Sequence, residues 1–193
     1  MITIDQVNKY ESSKPLCVLG VLRTDAGIQI RDEMIKWICS KYNCICVNQD
    51  PPGELYEYPA LNHARYLALN YNKPVLYLHT KGAGNHNHLQ AKIRNMWKFE
   101  FLCKFQWYND LNNQLSMVKT PFTGSDKWTW FNGFIATPLA YKSAHIEISS
   151  NRYDFEHIFS NCESVKVYGR ILNNVSSESS KTPMLSIVES VFL

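Results

Sequence analysis

The chain has 193 residues, of which 45% are hydrophobic and 13% aromatic, and its formal net charge is +3. That length supports one sizeable core and that composition excludes a disordered protein, so residues 1–193 are expected to form a single domain, with 173–193 its least defined part. The small, scattered positive charge excludes the strong basic field of a dedicated nucleic-acid binder, and no apolar run reaches the ~18 residues of a membrane span.

Leu16-Cys17-Val18-Leu19-Gly20-Val21-Leu22 is a continuous apolar run, the pattern of a strand buried on both faces. Arg23-Thr24-Asp25 ends it, with Thr24 or Asp25 able to cap a helix. From Ile28 to Tyr42 the apolar residues Ile30, Met34, Ile35, Trp37, Ile38 and Tyr42 recur at helical spacing, which predicts an amphipathic crossover helix. Cys44-Ile45-Cys46-Val47 follows as a second strand, stopped by Asn48-Gln49-Asp50-Pro51-Pro52-Gly53. A second helix is expected over Tyr58 to Tyr71, from its run of Ala and Leu, ending at Asn72-Lys73-Pro74. The third strand, Val75-Leu76-Tyr77-Leu78, then stops at His79-Thr80-Lys81-Gly82. Strands alternating with helices predict a right-handed parallel sheet.

Beyond the polar loop Gly82–His88, the aromatic segment Leu89 to Leu115 is expected to be a long helix. Thr123-Gly124-Ser125-Asp126 opens a loop, and Trp128 to Thr137 is expected to return to the sheet as a strand. Leu139 to Ile148 has no clear pattern, and Met184 to Leu193 fits either a short helix or a strand. The six cysteines fall largely inside apolar runs and are expected to be free thiols. Cys44 and Cys46 are expected on opposite faces of their strand, so that they share no metal.

In open α/β sheets ligands bind beyond the carboxyl ends of the strands, which makes His79-Thr80-Lys81-Gly82 the leading candidate site. Lys81 there suits an anionic group, and Gly82 lets the backbone approach it closely. His79 can hydrogen-bond a hydroxyl or a phosphate. Arg94, on the following helix, can clamp phosphate oxygens through its planar fork. Arg23, Thr24 and Asp25 after the first strand and Asn48 after the second should line the same edge. Asp126 and Glu156 are candidate general bases for an acceptor hydroxyl. His86-Asn87-His88 and His79 have no third ligand at a recognised spacing, so no metal site is expected. The sequence lacks Gly-x-x-x-x-Gly-Lys-Ser/Thr, a Gly-x-Gly-x-x-Gly turn after the first strand, and Gly-x-Ser-x-Gly; this disfavours a P-loop nucleotidase, a dinucleotide oxidoreductase and a common serine hydrolase.

Four segments, in order, resemble those of bacterial and viral glycosyltransferases of surface-polysaccharide synthesis, the rhamnan-synthesis-related group. They are Tyr77-Leu78-His79-Thr80-Lys81-Gly82, Arg94-Asn95-Met96, Trp130-Phe131-Asn132-Gly133-Phe134-Ile135-Ala136 and Arg152-Tyr153-Asp154-Phe155-Glu156. The first is the most specific. Ile93 replaces a tryptophan that often precedes the arginine, and Asn132-Gly133 reverses the usual order. The resemblance implies a Rossmann-like α/β fold of the GT-A kind, with a mostly parallel sheet flanked by helices. It implies transfer of a sugar from a nucleotide-sugar donor to a hydroxyl of a saccharide or other acceptor, with no cofactor beyond that donor substrate. Many such enzymes hold a divalent metal with Asp-x-Asp where this chain has His79-Thr80-Lys81, so transfer is expected to be metal-independent. The N-terminus lacks the basic and apolar regions of a signal peptide, and a cytoplasmic location is expected. Two rival readings remain: a non-catalytic carbohydrate- or nucleotide-binding module, and a transferase that glycosylates nucleic acid.

Overall fold

In a computed structural model that describes residues 14–21, 28–48, 56–79, 88–98, 100–101, 111–123, 127, 129, 133–149 and 151–171, the chain is α/β. The first strand, β1 (Leu16–Val21), is buried along its whole length, which is why its sequence is uninterruptedly apolar. Helix α1 (Ile28–Cys39) follows and buries Met34 and Ile38. It stops short of the expected end. The Lys41 and Tyr42 amides both donate to the Ile38 carbonyl, and Tyr42 turns inward so that its hydroxyl donates to the Phe101 carbonyl at 2.6 Å. Tyr42 is therefore a core residue of the turn, its apolar ring buried and its polar tip satisfied.

Strand β2 (Asn43–Asn48) pairs parallel with β1. Helix α2 (Tyr58–Tyr71) matches its expected span, with proline in its first turn and Asn72 at φ 49° as a left-handed C-terminal cap. Strand β3 (Val75–His79) is wholly buried and pairs parallel with the other side of β1. Helix α3 (His88–Lys98) starts where the helix expected over 89–115 does; Glu100 and Phe101 are helical as well, 111–115 are not, and 99 and 102–110 lie outside the described residues.

The first three strands are parallel as expected, and the second half adds an antiparallel element. Strands β4 (Met117–Thr123) and β6 (Lys166–Ile171), neither of them expected, pair parallel with each other. Between β3 and β4 lies β5 (Phe134–Ala136), antiparallel to both. The sheet is mixed, with six strands in the order β2-β1-β3-β5-β4-β6. By these pairings five strands share one direction and β5 alone opposes them. Only 134–136 of the strand expected over 128–137 belongs to β5; Thr129 adds an isolated antiparallel bridge to Thr123. Thr137 then caps a short helix, α4 (Pro138–Ser143), where no clear pattern was expected. The C-terminal segment 173–193 lies outside the described residues.

Two apolar cores sandwich the sheet. On one face, Val18, Tyr77, Phe134 and Ala136 pack with α2, α4 and the segment around Phe155, Ile158 and Phe159. On the other, Cys17, Leu19, Leu76, Leu78 and Ile135 pack with Met34 and Ile38 of α1 and Met96 and Trp97 of α3. Cys44 and Cys46 both belong to this second core, which overturns their expected placement on opposite faces. Residues two apart on a strand share a face, because side chains alternate at every step. Hydrogen bonding with Cys17, Cys39 and Cys46, together with burial, raises the Cys44 thiol well above its ordinary range. The described cysteines Cys17, Cys39, Cys44, Cys46 and Cys162 form no disulfide with one another. Among the described residues no helix is long and apolar enough to cross a membrane.

Candidate functional site

The strand directions bring one set of loops to one edge. The carboxyl ends of β1, β2, β3 and β4, and the start of β5, all face the same way. Adjacent strands lie ~4.8 Å apart, so the residues that follow β2, β1 and β3 leave three neighbouring positions spanning ~10 Å. Asn48 closes β2 and His79 closes β3 on this edge. Arg23, Thr24, Asp25, Thr80, Lys81, Gly82 and Asp126 lie outside the described residues, in the segments that follow β1, β3 and β4.

His79 is buried, at 6% exposure, and three aromatic or acidic groups surround its ring. Its Nδ1 lies 3.5 Å from Oε1 of Glu57, the residue immediately before α2, whose side chain makes no capping hydrogen bond to the helix. The Tyr77 hydroxyl donates to the other oxygen of that carboxylate, Oε2, at 3.0 Å. Tyr77 and His79, two apart on β3, point to the same face, and their rings are parallel with centroids 6.5 Å apart. On another side the His79 ring lies 5.7 Å from that of Trp97. A carboxylate, a phenol and an imidazole thus meet at the end of a rigid central strand, the placement that holds functional groups most accurately.

Trp97 belongs both to the core and to this strand end. It is completely buried among the α1–α3 core residues, and it also walls His79. Its indole lies against Gly133, immediately before β5: a Cβ at 133 would stand 2.4 Å from Nε1. The Gly133 carbonyl accepts from the Thr120 hydroxyl at 3.0 Å, which ties the start of β5 to β4.

Glu156, one of the two expected bases, closes a 3-10 turn (Arg152–Glu156) and is buried at 6% exposure. Its carbonyl accepts from the Thr129 amide at 2.9 Å, and Thr129 bridges to Thr123 at the end of β4. Glu156 is therefore tied to the same sheet edge as His79. Arg94 is placed differently. It lines a groove of about 640 Å³ between α1 and α3, with Glu33, Met34, Lys36, Trp37 and Lys98 among its neighbours. Burial lowers the guanidinium pKa from its ordinary value, and the Glu33 carboxylate opposes that shift. Trp97 lies one helical turn beyond Arg94, so α3 serves both the groove and the β3 edge.

Glu57 was not anticipated from sequence. An acidic residue ahead of a helix ordinarily serves the helix dipole, and its nearness to His79 arises only when α2 packs back against β3. The one signal that pointed to it was topological: Glu57 lies in the connection leaving β2 at the ligand-binding edge. Among the described residues no group of three or more His, Cys, Asp or Glu side chains is arranged to hold a metal ion. A scan against protein-family models, a search of curated proteins and a search of solved structures each find no match to this chain.

Proposed function

We propose that this protein is a glycosyltransferase that moves a sugar from a nucleotide-diphosphate donor to a hydroxyl of a saccharide or other acceptor. The observation that carries this reading is the end of β3. The segment Tyr77–Gly82, the most specific part of the resemblance to surface-polysaccharide transferases, begins with Tyr77, Leu78 and His79 of a buried strand end where Glu57, Tyr77, His79 and Trp97 converge. A mixed sheet with one opposed strand, flanked by helices, supports a fold of the GT-A kind.

In this reading Arg23, Thr24, Asp25 and Asn48 hold the nucleoside beyond β1 and β2. Thr80, Lys81 and Gly82 receive the diphosphate beyond β3, with the lysine neutralising the charge that grows on it as the sugar leaves. An ammonium supplies that stabilisation without a metal, so in this reading transfer proceeds in the presence of chelator. Arg94, one turn from Trp97, adds positive charge from α3.

The test is a thermal-unfolding panel of nucleotide sugars with and without EDTA. A ligand at a hundred times its Kd adds about 2.7 kcal/mol of stability, a shift of several degrees. At least one nucleotide sugar is expected to raise the midpoint in EDTA, and Lys81→Ala is expected to abolish that shift. A flat panel would contradict the reading, and activity lost to chelator and restored by manganese would overturn metal independence. Binding with neither transfer nor donor hydrolysis would favour a non-catalytic module.

A further inference from the structure

We propose that Glu57 and His79 form the proton-accepting pair of this site, with Glu57 as the positioning residue and His79 as the general base that deprotonates the acceptor hydroxyl. The inference rests on the transferase reading. Its physical basis is the order of contacts: the Tyr77 hydroxyl donates to Glu57 Oε2 at 3.0 Å, and Glu57 Oε1 lies 3.5 Å from His79 Nδ1. A carboxylate facing Nδ1 favours the tautomer that carries its proton there. The basic lone pair is then on Nε2, on the opposite side of the ring. Nucleophile-activating bases elsewhere have this same arrangement, an imidazole held in tautomer and orientation by a buried carboxylate that is itself hydrogen-bonded.

The surroundings fix the pair. His79 ends a fully buried strand, Trp97 packs 5.7 Å from its ring, and Glu57 is held at the start of α2 by the Tyr77 phenol. Among the described residues the titratable groups facing the imidazole in these contacts are Glu57 from the start of α2 and Tyr77 from β3; α3 presents the neutral Trp97. Such a base has little freedom to lose when it acts. In the transfer step the acceptor oxygen bonds to the anomeric carbon and its proton passes to His79 Nε2. The bond from the anomeric carbon to the diphosphate oxygen breaks, its electron pair leaves with the nucleoside diphosphate, and His79 returns the proton to solvent.

The experiment pairs nitrogen-15 NMR of the histidines with kinetics on wild type, Glu57→Gln and Tyr77→Phe. In neutral wild type His79 is expected to be protonated on Nδ1. A glutamine can turn its NH2 toward Nδ1 and reverse the tautomer, so Glu57→Gln should lower kcat by about 10²–10⁴-fold while donor Kd changes less than about twofold. Tyr77→Phe, which keeps the ring, should lower kcat by about tenfold through the loosened carboxylate. Proton on Nε2 in neutral wild type, or unchanged kcat with weakened donor binding in both variants, would overturn the pairing. A wild type that turns over no nucleotide sugar would overturn the transferase reading and the base role with it, and the tautomer measurement would still decide the contact with Glu57.

Discussion

Gly133 shows how little room one position can have. The Trp97 indole occupies the space a side chain would need, with Nε1 at 2.4 Å from an ideal Cβ, and among the described residues that buried N–H has no hydrogen-bond partner. Alanine at 133 would reduce the entropy of the unfolded chain, a gain of about 0.4–1 kcal/mol. Pushing a fully buried tryptophan aside costs about 1–3 kcal/mol, so the clash wins. Gly133→Ala is expected to lower the urea midpoint, with a net loss of stability of up to about 2.6 kcal/mol. Because Trp97 also touches His79, the variant should lose turnover beyond its loss of fold. A variant as stable as wild type would show that the indole moves freely. Core packing and the wall beside His79 thus share one ring.

Among the elements, Thr137 joins β5 to α4 and serves both. Its hydroxyl donates to the Leu115 carbonyl at 2.7 Å, and its oxygen accepts from the Met117 amide at 3.0 Å and the Ala140 amide at 3.4 Å. The side chain therefore caps a helix and ties β5 to the start of β4. Thr137→Ala is expected to cost about 1–2 kcal/mol in chemical denaturation, and Thr137→Ser to recover most of it. Equal losses in both variants would assign the effect to the methyl group. The elements that sequence made legible are those whose burial is simplest: β1 and β3 are buried along their length, and α2 carries clear helix formers between a proline and an asparagine cap. Strand β4 was hidden by Lys119 and Pro121, and a register irregularity between Lys119 and Phe122 accommodates the proline, which has no amide to give to a ladder. Among the described residues strand β6 pairs only with β4, and it exposes Tyr168, so it never reads as an apolar run. With β4 unseen, β5 could not be recognised as its antiparallel partner. His79 was legible because it ends an apolar strand; Glu57 was not, because its partner is distant in sequence and the contact depends on how α2 packs.

At the scale of the whole molecule, two cores hold the sheet rigid from both faces, and the connections that carry the expected donor-binding residues leave it at one edge. Rigid strand ends with variable loops between them allow a site to be assembled without disturbing the core. The α1–α3 groove is the competing location, since it is concave and carries Arg94 and Lys98 of α3 opposite Glu33 and Lys36 of α1. The two places are distinguished by where a donor lands. Amide and histidine NMR shifts recorded during titration of the nucleotide sugar selected by thermal unfolding, in EDTA, test this most directly. The account predicts the largest changes at Val21, Asn48, His79 and Thr129, around the carboxyl ends of β1 to β4. Changes confined to Glu33, Trp37 and Lys98, or no changes at saturating ligand, would contradict it.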